Sequence, residues 1–289
     1  MKLRFSVGIK VLTLVFLLLN TCLAHIPSYR SWFVDFLEPR LVFFMKEKYQ
    51  KFIPKNKKNT LLQNPCNVPI DFFAETISIG YDNKEKYLFA PKNACEAQIY
   101  REHLNQKTSS PAEWSALYAK LCAFNTIKMT LVENYLRALQ HKEKLTRQEL
   151  ANTFITFVQQ TLYVLIHEGT CKEDAQRNNF SNIYHKNRLP CLHHQKYGVH
   201  SPLEFAYYLQ GDCDSKVLFA YTILKKLGYQ VAVLATKNHA MLGWKGIGLG
   251  NALIHKTEKY YFWELSAPDW QVGALPIAYQ TEKWELMLD

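Results

Sequence analysis

Gly211-Asp212-Cys213-Asp214-Ser215-Lys216, continued through Leu227-Gly228 to Tyr229-Gln230-Val231-Ala232-Val233-Leu234-Ala235, decides how the chain folds. Asp212 is a good N-cap, so a helix is predicted over Cys213 to Leu227, with Gly228 as its left-handed stop. The β-branched, apolar run from Tyr229 to Ala235 then predicts a strand. Ala240 to Trp244 and Lys259 to Leu265 predict two more, joined by the turn-prone Lys245-Gly246-Ile247-Gly248-Leu249-Gly250 loop. Helices first, then a helix leading into an antiparallel sheet, is an α+β arrangement.

Three capping boxes set the helices upstream. Ser110-Pro111-Ala112-Glu113, with proline at the first helical position, opens a helix to about Gln140. Thr146-Arg147-Gln148-Glu149 opens the next. Its apolar positions Leu150, Phe154, Phe157, Val158, Leu162 and Leu165 recur at helical spacing and carry it to about Glu168, before Gly169. Ser201-Pro202-Leu203-Glu204 starts a short helix ending at Gly211. The polar stretch 169–200 reads as a long loop, and 66–109 as an irregular, disulfide-tied segment. Residues 52–65, rich in lysine and asparagine, read as a solvated linker. In 25–55, Trp32, Phe33, Phe36, Phe43 and Phe44 suggest short helices packed on the main body, with an interfacial membrane segment as the alternative.

Residues 1–24 read as a secretory signal peptide. Lys2, Arg4 and Lys10 precede the apolar run Val11 to Leu19, and Cys22-Leu23-Ala24 offers a small-residue cleavage site. The apolar stretch is shorter than the ~20 residues that span a bilayer, so a retained anchor is the alternative. With 289 residues, 48% of them hydrophobic, the chain has apolar content for one large core or two modest ones. The expected organisation is a signal peptide over 1–24, a mainly helical or irregular region over 25–145, and a catalytic domain over 146–289.

The net charge of +10 invites a nucleic-acid reading. The basic residues are spread along the chain without an arginine stripe or aromatic-basic sheet signature, which argues against nucleic acid. A generic basic surface remains, with peripheral membrane or cell-envelope association as a possible consequence. Export also changes the cysteines. Cys22 leaves with the signal, so if Cys213 is a free thiol the economical pairs are Cys66–Cys95 and Cys171–Cys191. Each such bridge stabilises by about 3 kcal/mol in the chain-entropy model. Cys122, in an apolar helix, then packs as a small hydrophobe.

Cys213 is the candidate nucleophile. A helix N-terminus favours an anion, and a thiolate is the reactive form. His239, in Asn238-His239-Ala240, follows the strand that runs back along this helix and is the candidate base. Glu264, ending the apolar run Tyr260-Tyr261-Phe262-Trp263, is a carboxylate that needs a buried partner, and holding an imidazole supplies one. Asp269 is the rival acid.

These residues also carry a resemblance. Phe157-Val158-Gln159-Gln160-Thr161-Leu162-Tyr163, Ser201-Pro202-Leu203-Glu204, Gly211-Asp212-Cys213-Asp214-Ser215-Lys216, Leu227-Gly228-Tyr229, Asn238-His239-Ala240 and Tyr261-Phe262-Trp263-Glu264 together resemble the transglutaminase-like cysteine enzymes, a papain-related superfamily. The secreted bacterial cysteine-peptidase-like branch is the most similar. The resemblance implies a papain-like core, with Cys213 as nucleophile, His239 as general base and acid, and Glu264 as orienting acid. By position it makes Gln159 an oxyanion-hole donor beside the Cys213 N–H. The chain departs from the family in having Glu264 where most members have aspartate. Leu162 also stands where the family has proline, so the upstream helix is expected to continue unbroken.

Two competing signals are set aside. Cys191, His193 and His194, with His185 and His200 nearby, crowd one polar loop without zinc-ligand spacing, so no metal is expected. Gly246, Gly248 and Gly250 do not lie between a strand and a helix, so no dinucleotide or other cofactor is expected. The sequence thus points to an exported acyl-transfer enzyme acting on a peptide or protein substrate, hydrolysis favoured over transamidation. The alternative is a non-catalytic module that binds peptide or envelope polymer.

Overall fold

Each of the three capping boxes forms with both reciprocal hydrogen bonds, and each starts a helix where the sequence places it. The computed structural model describes Cys66 and residues 76–78, 86–88, 91–177 and 179–289. The expected signal peptide, aromatic stretch and linker lie outside these residues. In chain order come strands β1 (Thr76–Ser78) and β2 (Lys86–Leu88), helix α1 (Pro91–His103), α2 (Pro111–Thr126) and α3 (Thr130–Lys142). Then follow α4 (Arg147–Gln160), β3 (Leu162–Tyr163), β4 (Leu165–Ile166), α5 (Cys171–Arg177), α6 (Asn179–Lys186) and β5 (Cys191–Leu192). The chain ends with α7 (Pro202–Tyr208), β6 (Gln210–Gly211), α8 (Cys213–Lys226), β7 (Val231–Ala235), β8 (Ala240–Trp244), β9 (Ala252–His255), β10 (Glu258–Trp263) and β11 (Glu285–Leu288).

The fold is mixed α and β around a five-stranded antiparallel sheet, ordered β11-β7-β8-β10-β9. β7 and β8 are buried throughout, because both of their faces are covered. One face, including Val231, Val233, Leu242 and Trp263, joins a core with Val217, Phe219 and Leu224 of α8. The other face, Ala232, Leu234, Met241, Tyr260 and Phe262, is closed by Leu253, Leu275, Tyr279, Trp284 and Leu286. Helix α8 is built as expected: Asp212 caps it through the Ser215 N–H at 3.0 Å, and Gly228 follows it at φ +78°.

Several expectations are corrected. The helix from Ser110 breaks at a 3-10 turn over Ile127–Met129 before α3 resumes. The stretch 66–109 is not wholly irregular, since it contains β1, β2 and the 13-residue α1. Helix α4 stops at Gln160 rather than near Glu168. There Thr161 turns to extended backbone, and the buried Lys216 ammonium donates to the carbonyls of Val158 and Thr161. Leu162 and Leu165, at helical spacing in the sequence, instead enter short parallel pairs with Gln210–Gly211 and Cys191–Leu192. The 169–200 loop holds two helices, the first opened by a box in which Thr170 and Glu173 exchange hydrogen bonds. β9 and β11 were not foreseen.

Residues on both sides of 145/146 contribute to one core. Leu117, Leu121, Val132 and Leu136 of α2 and α3 share one cluster with Phe154, Val217 and Met287. Both expected disulfides are present, Cys66–Cys95 and Cys171–Cys191, and Cys122 and Cys213 are free and buried. Disulfides fit an exported protein. No helix among the described residues is long and apolar enough to cross a membrane.

Candidate active site

Cys213 opens α8, and its helix leads into β7, which returns along it. A turn at Thr236–His239 then reverses the chain into β8. The Thr236 hydroxyl accepts from the N–H groups of Asn238 and His239, fixing that turn. The Ala240 N–H, one residue on, reaches the Cys213 thiol. Strand β10 pairs with β8 in the register Trp263↔Leu242, so the residue after β10 arrives beside the start of β8. That residue is Glu264. Its Oε2 lies 2.7 Å from His239 Nε2, and both side chains are buried.

The carboxylate is held from its other side too. Glu264 Oε1 accepts from both the N–H and the hydroxyl of Ser266, each at 2.7 Å. Burial works against ionisation of Glu264, but the His239 ring and the Ser266 donors outweigh it and hold the carboxyl below its usual range. Asp269, the rival acid, is exposed in a left-handed turn, and the imidazole bond goes to Glu264. With Nε2 engaged by Glu264, Nδ1 is the other ring nitrogen.

Gln159 is brought to this site in a different role from the one read in the sequence. Its side-chain nitrogen donates to the carbonyls of Glu264 and Trp270 at 2.8 and 2.9 Å. Both acceptors are oxygens, so the amide's two hydrogens are committed to them and none faces an oxyanion. Gln159 braces the chain on either side of the Glu264–Trp270 turn. It positions the acid.

The thiol sits in an acidic setting. Cys213 is only 7% exposed. Burial, reinforced by the carboxylates of Asp214 and Asp212, pushes it well above the usual thiol range, against the Ala240 N–H. Burial also pushes Asp212 and Asp214 upward, although Asp212 accepts from Ser215 and Asp214 accepts from the Tyr118 hydroxyl at 2.8 Å. Burial and the neighbouring carboxylates thus favour the protonated thiol over the thiolate.

Residues the sequence reading missed complete the surroundings. Tyr279 stacks on His239, with ring centroids 4.2 Å apart and planes 10° from parallel, and Trp284 meets the imidazole edge-on at 6.3 Å. These rings lock the imidazole plane. Nothing in Pro276-Ile277-Ala278-Tyr279 signals this, because the contact is made by a loop crossing the sheet. Ser266 stands two residues after Glu264, close enough in sequence for its N–H and hydroxyl to bond back to the carboxylate. Cys191 of the histidine-rich stretch is consumed by its disulfide. Among the described residues no group of three or more His, Cys, Asp or Glu side chains is arranged to hold a metal. Compared with known proteins, the chain matches no family model, no curated protein and no solved structure.

Proposed function

We propose that the chain is an exported cysteine-dependent acyl-transfer enzyme with a transglutaminase-like, papain-related core. It acts on a peptide or amide bond and releases the acyl group to water in preference to an amine. The observation that carries this is the buried 2.7 Å His239–Glu264 pair, with the Ala240 N–H one residue after His239 favouring the Cys213 thiolate. A structural histidine has no need of a carboxylate braced by Ser266 and a ring stacked on its face.

In the proposed reaction His239 Nδ1 takes the thiol proton as Sγ attacks the carbonyl carbon. The oxyanion is received by the Cys213 N–H, which has no intrahelical acceptor at the first helical position. His239 returns the proton to the leaving nitrogen as the C–N bond breaks, leaving a thioester. It then deprotonates the water that hydrolyses it. Glu264 keeps the proton on Nε2 and stabilises the imidazolium. The second reading, a non-catalytic module that binds peptide or envelope polymer, draws on the raised thiol and the committed Gln159 amide.

Alkylation across pH separates the two. Cys122, the other free thiol of the described residues, is pushed by burial up to about 12 and stays silent near neutrality. Iodoacetamide is expected to modify Cys213 at pH 7 at least about tenfold faster in the wild type than in His239→Ala. The variant should gain reactivity only at alkaline pH, where the raised thiol ionises unaided. Coincident profiles would remove the catalytic reading.

A further inference from the structure

Three large apolar side chains stand in solvent at one end of the sheet: Ile247 is 92% exposed, Leu249 87% and Ile254 72%. The register places them together. Ile254 lies opposite Lys259 and Ala252 opposite Tyr261, so Ile254 shares the sheet face of Tyr261. Gly248 rests on that tyrosine, since an added Cβ would come within 2.8 Å of its ring. The loop carrying Ile247 and Leu249 thus folds over the face that Ile254 occupies. Its base is braced: Gly250, at φ +101°, lies against the Gly273 backbone, and the Asn251 N–H donates to the Gly273 carbonyl at 2.8 Å. The apolar tips are displayed on a fixed support. Clusters of this kind, unlike single surface leucines, mark contact sites.

The rim carries positive charge. Lys245, Lys256 and Lys259 surround the tip, and the one acid between positions 245 and 259 is Glu258, bridged to Lys245 at 2.8 Å. Lys256 and Lys259 are exposed, the Lys259 ammonium lying over the Tyr261 ring at 4.6 Å, and Glu258, the acid between them in sequence, is engaged by Lys245. We propose that this tip docks on an anionic lipid surface. Ile247, Leu249 and Ile254 enter the headgroup–acyl boundary, and Lys256 and Lys259 meet the phosphates. An apolar cluster framed by three lysines against the single acid Glu258 matches the two attractions that hold a protein on an anionic bilayer. The loop follows β8, whereas His239 precedes it, so the length of that strand separates the docking tip from the imidazole.

Hydrogen–deuterium exchange of the full chain tests this locally, whatever else in the chain touches lipid. With phosphatidylglycerol-containing vesicles at low salt, peptides covering 245–259 should exchange at least about threefold more slowly. High salt should weaken the protection, and pure phosphatidylcholine should give none. Ile247→Ser/Leu249→Ser and Lys256→Glu/Lys259→Glu should each abolish it, with exchange over 213–226 unchanged as evidence of an intact fold. Three results overturn the proposal: no protection by anionic vesicles, equal protection by neutral ones, or protection that survives Ile247→Ser/Leu249→Ser. Slowing that rises with protein concentration in the absence of vesicles also overturns it, in favour of a second copy of the chain.

Discussion

Glu264→Gln is expected to lower acyl transfer to an activated ester by about 10³-fold while leaving the unfolding midpoint nearly unchanged. The reason is directional. Glu264 Oε1 accepts from the Ser266 N–H and hydroxyl, and a backbone N–H cannot turn away. The glutamine must therefore present its carbonyl oxygen to Ser266 and its NH₂ to His239. Facing a donor, Nε2 becomes the unprotonated nitrogen, and the ring's proton moves to Nδ1. An Nδ1–H cannot accept the Cys213 proton. The side chain's size, burial and bracing by Gln159 are otherwise retained, so stability is little affected. Initial rates with wild type and variant, alongside urea unfolding of both, check it. A variant within a few-fold of wild type would show that the tautomer of His239 does not govern the reaction.

Glu204→Ala is expected to cost about 3–5 kcal/mol of stability, among the largest losses available to a single substitution here. Arg101 of α1 is completely buried, and its guanidinium grips the Glu204 carboxylate through Nε and Nη2, with the shortest contact 2.9 Å. It also donates to the Lys196 carbonyl and the Gln195 side chain, and its Nη2 lies 3.2 Å from the Glu102 carboxylate. Burial opposes the Glu204 charge, but Arg101 overcomes it and holds the carboxyl below its ordinary range. Removing the carboxylate leaves the buried cation only the partly exposed Glu102 carboxylate, 3.2 Å from Nη2, and also dismantles the Ser201 capping box at the start of α7. Replacing both partners, as in Arg101→Met/Glu204→Leu, should recover much of the loss, because no unpaired charge then remains. Urea titrations of the three proteins measure this. A double variant no better than Glu204→Ala would mean that the ion pair itself, not the stranded charge, carries the stability.

What was legible in the sequence was local or closely spaced. The boxes at Ser110, Thr146 and Ser201 are built from side chains three residues apart, and α8 with β7 follows from a cap, a stop glycine and a β-branched run. The order Cys213, His239, Glu264 could be read because a helix and antiparallel strands leave few ways to bring them together. The cysteine pairs followed once Cys213 was reserved as a thiol. What stayed hidden depends on distant partners. Helix α4 ends where Lys216, some fifty residues away, takes its last carbonyls. Helix α1 lacks clear periodicity because Arg101 buries against Glu204 by charge. β11 pairs with β7 across the whole domain, and Tyr279 reaches His239 only through a loop. The same holds for Gln159, whose neighbours were visible from its position but whose acceptors were not.

The central claim is that Cys213 carries the acyl group, and trapping that intermediate tests it most directly. Wild-type protein quenched in acid during turnover of p-nitrophenyl acetate should show one acetyl group on the peptide containing Cys213. The label should be removable by hydroxylamine, as a thioester requires, and absent from His239→Ala under the same conditions. Acetyl found only on lysines, or on Cys213 to equal extent without His239, would contradict the account.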